Sequence, residues 1–289
     1  MGRLYPRMRE RPPEFRINPE NPLWRDCELI IAATPYGQRI ACDLSPTQNH
    51  GRMGSNLAIA PVWVQELRRF GYRFSGGSLD GILPARSPNL VPAHGNWTFM
   101  AWINPKPALV NTIVDNRYSG DDAGFMCYTG SAGGYKFNFD LNDSTTFHYY
   151  RNAYGPVLTN QLSFIILVVA RSQNTAWYYC NGVQYATIDI SATSGSVNTG
   201  HNKYRIGGHA NRSEFAYYGM ATDVMHVNRC LSPAEISALA DPSNVDLRVG
   251  GVPLILPPRR RFFPSVEIHA PTFNPAWAQH VNTYIGLGR

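Results

Sequence analysis

Trp177-Tyr178-Tyr179-Cys180-Asn181-Gly182-Val183-Gln184-Tyr185-Ala186-Thr187-Ile188-Asp189-Ile190 is the stretch that decides the fold class. Asn181-Gly182 is the strongest two-residue hairpin signal, because both positions accept the positive φ of a tight turn. The flanking aromatic and β-branched residues suit a pleated, half-buried surface. Upstream, Phe164 to Ala170 and Trp97 to Ile103 are apolar on both faces, as expected of inner strands covered on both sides. Tyr135, Phe137 and Phe139 alternate with Lys136, Asn138 and Asp140, which predicts a half-exposed strand with one apolar face. Strands separated at short intervals by Gly, Asn and Ser clusters indicate an antiparallel sandwich. Composition agrees: 25 Gly and 22 Pro break helices, while 16 Tyr, 13 Phe and 6 Trp favour strands.

One helix stands out downstream. Ser232-Pro233-Ala234-Glu235 reads as a capping box with proline at the first helical position, Ile236 and Leu239 then face the core, and Asp241-Pro242 stops the helix. A second short helix is expected at Pro61 to Phe70. The longest purely apolar run is Phe164 to Ala170, and seven residues are far short of the roughly 20 that cross a bilayer as a helix. The N-terminal MGRLYPRMRERPPEF has charge but no apolar segment of the kind a secretory signal needs. Cys27, Cys42, Cys127, Cys180 and Cys230 are spaced too widely for a zinc knuckle or a CxxC pair, so buried free thiols and a reducing site of synthesis are expected.

The net charge of +6 is unevenly placed. Residues 1–16 carry five arginines against two glutamates, and residues 248–289 carry five arginines against Glu267, which leaves the long middle close to neutral. With only three lysines in the chain, nearly all positive charge is guanidinium. That suits geometrically fixed contacts to carboxylates, carbonyls or phosphates. A neutral core argues against nucleic-acid binding. Both ends are also rich in proline, so residues 1–22 and 246–289 are expected to be extended arms flanking one domain at 23–245. The arm residues expected to dock onto a partner surface are Arg7, Arg9, Arg11, Arg259, Arg260, Arg261, Phe262, Phe263 and Trp277.

Six segments in order then carry a resemblance. Asp43 to Gly51 resembles a "D-x-S…N-x-G" opening, Ser78-Leu79-Asp80-Gly81 an "F-D-G" turn, and Trp97 to Pro105 an "F-T-x-x-x-W-I-K-P" strand. Ala176 to Gly182 is similar to an "L-Y-V-N-G" hairpin, Tyr204 to Gly208 to "x-x-I-G-G", and Gly219 through Ile236 to "G-x-I-D-E-V-x-x-x-N-R-x-L-S-x-x-E-I". Together they resemble the laminin-G-like domains of the concanavalin A-like superfamily. The resemblance implies an all-β jelly roll of two facing antiparallel sheets with one short C-terminal helix.

Fold alone does not give function. The E-x-D-x-x-E strand of glucanases with this architecture is absent, and no histidine sits in a nucleophile-elbow context, so no enzyme and no catalytic residue is expected. Calcium is the usual ion of the superfamily. Thr222 stands where the resemblance implies a carboxylate, leaving Asp223 at the second acidic position and Asp121 and Asp122 in a polar loop as metal candidates. No cofactor is therefore expected, and chelation should leave the melting temperature unchanged within about 2 °C. Phe147 to Tyr154 supplies glycan or interface candidates, His148, Tyr149, Tyr150, Arg151 and Tyr154, since aromatic faces stack on sugar rings while Arg donates to hydroxyls.

The resemblance, the basic arms and the missing signal together imply a structural protein of a tailed-phage virion. It would be assembled in host cytoplasm, non-enzymatic, able to form a homo-oligomer, and docked by its arms on capsid or tail proteins as decoration, cement or fibre base. The other reading is a carbohydrate-binding adhesin for host surface glycans.

Overall fold

The computed structural model describes residues 24–31, 40–41, 43–53, 62–66, 69–77, 81–84, 90, 93–108, 110–117, 123–130, 136–143, 148–150, 155, 157–198, 204–209 and 215–241. Both expected arms, and with them every expected docking residue, lie outside these. By contacts the chain divides into a unit Met1–Pro257 and a unit Pro258–Arg289, the latter wholly outside the described residues.

The strands are β1 (Cys27–Ile31), β2 (Ile40–Ala41), β3 (Gly51–Met53), β4 (Val62–Glu66), β5 (Arg69–Ser75), β6 (Ile82–Pro84), β7 (Trp97–Pro105) and β8 (Val110–Asp115). They continue with β9 (Gly124–Gly130), β10 (Lys136–Asn142), β11 (Tyr149–Tyr150), β12 (Ser163–Ala170), β13 (Thr175–Cys180), β14 (Val183–Asp189), β15 (Arg205–Ile206) and β16 (Tyr218–Val227). The helix α1 (Pro233–Ala240) follows. The first sheet has the order β14-β13-β12-β7-β16-β5-β4, with β1 also paired to β16, and the second has the order β11-β10-β9-β8-β15-β6-β3-β2. The described pairs are antiparallel, which is the expected jelly-roll sandwich.

Local signals act as read. Asn181 (φ 50°) and Gly182 (φ 81°) form the β13–β14 turn, and Asn181 also exchanges hydrogen bonds with the Phe164 backbone (2.7 and 2.8 Å), which ties the turn to β12. β7 and β12 are buried along nearly their whole length. Their inner faces join Leu29, Tyr178, Phe125, Phe137, Phe139 and Ile206 in the core between the sheets, where Phe137 and Tyr178 stack across the gap at 4.4 Å. Their outer faces join a second apolar cluster with Trp24, Ile30, Met225, Ile236 and Leu239, so α1 covers the first sheet from outside. Each of Ile236 and Leu239 contributes about 2 kcal/mol by that burial.

The capping box is formed as expected: Glu235 N donates to Ser232 Oγ (3.3 Å) and Ser232 N to Glu235 Oε2 (2.8 Å). Arg229 then grips the same carboxylate with both terminal nitrogens (3.1 and 2.7 Å), fixing the helix start to the end of β16. The Asp43 carboxylate holds the opening segment in the same manner, accepting from Ile30 N (2.8 Å), Ser45 N (2.8 Å), Ser45 Oγ (2.7 Å) and Asn49 N (2.6 Å).

Two expectations are corrected. Residues 62–66 and 69–70 are strand and not helix; β4 and β5 run antiparallel there, and β5 pairs with β16, because β-branched and aromatic residues next to a free sheet edge favour pairing over a lone helical turn. The strand with alternating Lys136, Asn138 and Asp140 is not half-exposed: Asn138 and Asp140 are buried although they point away from the core. Tyr135 lies outside the described residues. Cys27, Cys127 and Cys180 are buried free thiols and Cys230 is a half-buried one, with burial raising the thiol pKa in each; Cys42 lies outside the described residues.

Candidate functional site

The outer face of the second sheet carries the chemistry. Register places Arg205 of β15, Asp115 of β8, Met126 of β9, Asp140 of β10 and Tyr149 of β11 in one row across five strands. A bulge in β8 creates this row. Ile113 and Val114 both turn into the core, so Thr112 and Asp115, three apart in sequence, share the outer face.

Arg117 lies over the row. Its Nε donates to Asp115 Oδ1 (2.9 Å), Nη2 donates to Asp115 Oδ2 (3.4 Å) and to Met126 Sδ (2.9 Å), and Nη1 stands 3.6 Å from Asp140 Oδ2. The arginine is 2 % exposed and the two aspartates 0 % and 1 %, so this is a buried carboxylate–guanidinium–carboxylate bridge and not a surface pair. Burial works against the guanidinium charge, but Asp115, Asp140 and the Tyr149 phenol more than offset it and raise its pKa. Tyr128 donates its hydroxyl to Asp140 Oδ1 (3.3 Å), and His209 Nε2 lies 3.5 Å from Asp115 Oδ2. Arg205 donates to the His209 carbonyl (2.7 Å); burial lowers its pKa against the pull of Asp115. Among these groups two carboxylates face two guanidiniums.

Tyr149 completes the site. It is 48 % exposed at the end of the row, while its phenol is close enough to Arg117 to act on its charge, so a wet aromatic ring adjoins a dry polar floor. The neighbouring sequence candidates go elsewhere. Tyr150 faces the other way, stacks on Phe139 (4.9 Å) and shares a hydrogen bond with Thr193 Oγ1 (2.9 Å); burial raises its phenol pKa. His148 is half-buried beside Tyr150, with its backbone N–H on Asn142 Oδ1 (3.3 Å). Arg151, Tyr154, Asp121 and Asp122 lie outside the described residues. Asp223 is buried in a bulge of β16 with a left-handed backbone (φ 48°), next to buried Thr222. Among the described residues no three His, Cys, Asp or Glu side chains are gathered to hold a metal ion, and no helix is long and apolar enough to cross a membrane.

Sequence reading missed Asp115, Arg117, Met126, Tyr128, Asp140, Arg205 and His209 as site residues. Asp115-x-Arg117 and Lys136-x-Asn138-x-Asp140 have the spacing of one strand face, and that polar periodicity on a sheet outside the core was the available signal.

A jelly roll of two antiparallel sheets with a polar, partly aromatic outer face is the architecture of lectin-like binding domains and of glucanases alike. Residues 77–237, more than half of the chain, match the laminin-G model described as the concanavalin A-like lectin/glucanases superfamily, and the chain belongs to that family. No curated protein sequence gives a significant match. Among solved structures, the binding domain of Paraclostridial Mosquitocidal Protein 1 superposes with a TM-score of 0.60 at 13% identity, over 75% of this chain and 52% of that one. Domain 4 of AbnA, a GH43 extracellular arabinanase from Geobacillus stearothermophilus, in complex with arabinotriose, gives 0.58 at 14% identity, over 75% of this chain and 98% of that one. The botulinum neurotoxin serotype G binding domain gives 0.56 at 15% identity, over 74% and 50%. This chain thus spans about half the length of the toxin binding domains and nearly all of the arabinanase domain. At these identities the likeness is one of fold.

Proposed function

We propose that the chain is a non-enzymatic carbohydrate-binding protein that takes glycans on the outer face of its second sheet. The observation that carries this reading is the exposed Tyr149 ring set beside the buried row of Asp140, Arg117 and Asp115. The exposed Tyr149 ring offers the apolar face on which a sugar ring stacks, while the buried row of Asp140, Arg117 and Asp115 holds the platform beneath it and does not itself reach solvent. The arabinotriose complex of the similar arabinanase domain supports the same reading. Hydrolysis is disfavoured by geometry. Glycosidases flank the scissile bond with two carboxyl groups about 5–9 Å apart, whereas here the Arg117 guanidinium occupies the space between Asp115 and Asp140.

A glycan array followed by calorimetry on the full chain tests this. Selective binding is expected, with Tyr149→Ala weakening it about tenfold or more. An array without signal, or binding that ignores Tyr149→Ala, would remove the assignment.

A second reading is favoured by the arms, which hold ten of the 23 arginines and lie outside the residues matched by the family. In it the glycan-binding domain is carried on a phage particle, assembled in host cytoplasm, with Arg7, Arg9, Arg11, Arg259, Arg260, Arg261, Phe262, Phe263 and Trp277 gripping capsid or tail proteins. Ionic docking of this kind weakens with salt. Protein lacking residues 1–20 and 250–289 should then fold but fail to co-sediment with particles; full occupancy without the arms would end this reading.

A further inference from the structure

We infer that the seam between the two sheets is built to loosen in acid, with His226 as its trigger. His226 is fully buried on the inner face of β16, in register between Leu29 of β1 and Phe99 of β7. Its ring stacks on Trp97 of the first sheet (5.5 Å, 18°) and on Phe125 of the second (5.9 Å, 28°), and Tyr204, just before β15, meets it edge-on (5.9 Å, 89°). The histidine therefore bridges both sheets.

The groups around it offer no compensating charge. From the first sheet it meets Leu29, Phe99 and Trp97, and from the second Phe125 and the Tyr204 phenol, with the Cys127 thiol acting on that phenol. Burial raises the pKa of both Tyr204 and Cys127, so both stay neutral in acid. The Asn228 side chain hydrogen-bonds the ring, a neutral partner that favours the protonated form less than burial opposes it. Among the described residues no carboxylate acts on the ring, so a proton taken up here would sit as a cation without a counter-charge in an aromatic box.

Burial lowers the imidazole from its ordinary 6.5 to about 3 in the folded chain, while the unfolded chain keeps the ordinary value. Between those limits the unfolded state binds the additional proton. Stability from this group is complete above pH 6.5 and falls as pH drops toward 3. The folding equilibrium constant thus declines about tenfold per pH unit, or about 300-fold by pH 4, through one residue.

Urea unfolding of the full chain between pH 7.5 and pH 4, for the natural sequence and for His226→Phe and His226→Gln, reads this directly. The variants should gain about 300-fold in folding constant relative to the natural sequence between pH 7 and pH 4. In parallel, the His226 ring signals followed by NMR in the folded natural protein should stay in the neutral form down to pH 4. Parallel pH profiles for natural and variant proteins would overturn the inference. So would a folded-state His226 signal that titrates near pH 6.5, and that second readout decides the matter even where neither variant folds.

Discussion

Arg117→Met is expected to cost about 3–5 kcal/mol of folding stability, because it strands two carboxylates that are 0 % and 1 % exposed. Methionine fills much of the same volume, so the loss reads charge and hydrogen bonding more than cavity formation. Adding Asp115→Asn and Asp140→Asn to the same chain should recover most of the loss, since the penalty comes from unpaired buried charge and not from the missing bridge itself. Urea midpoints of the single and triple variants measure both effects. A loss below about 1 kcal/mol for Arg117→Met would mean that the aspartates are satisfied by other groups and that the row is not organised by the arginine.

Asp43→Ala is expected to be nearly as severe, at about 3–4 kcal/mol. The carboxylate accepts from three backbone amides and one hydroxyl in a fully buried position, and each donor left without a partner there costs about 1–3 kcal/mol, shared and not strictly additive. Asp43→Asn keeps the shape but replaces one acceptor with a donor, so an intermediate loss is expected. Thermal unfolding with hydrogen exchange at the Ile30 and Asn49 amides tests the assignment. Unchanged protection at those two amides in Asp43→Ala would show that the opening segment is held by something else.

Much of the fold was legible because its signals are local. Asn181-Gly182 sets its turn by backbone conformation alone, and Ser232 to Glu235 caps a helix within four residues. The Pro61 to Phe70 expectation failed because that stretch has no decisive local signal: its hairpin partner, Arg69 to Arg73, follows without a Gly or Asn turn to mark it, and what anchors that partner is the pairing of Tyr72 to Ser75 with β16, about 150 residues downstream. The site was hidden for the same physical reason in stronger form. Asp115, Met126, Asp140, Tyr149 and Arg205 meet only through the register of five strands, and the β8 bulge overrides the simple alternation that would place Thr112 and Asp115 on opposite faces. Tyr149 and Tyr150 show how far composition reaches. The aromatic-rich stretch was identified, but which tyrosine faces outward depends on how β11 pairs with β10.

The central claim is that the outer face of the second sheet binds glycans. The most direct test is to titrate isotope-labelled full chain with arabinotriose and with the strongest array ligand while following backbone amide shifts. The account predicts that shifts concentrate at Asp115 to Arg117, Met126 to Tyr128, Asn138 to Asp140 and Tyr149, and that Tyr149→Ala abolishes them at the same ligand concentration. Shifts confined to the first sheet or to α1, or unchanged in Tyr149→Ala, would contradict it.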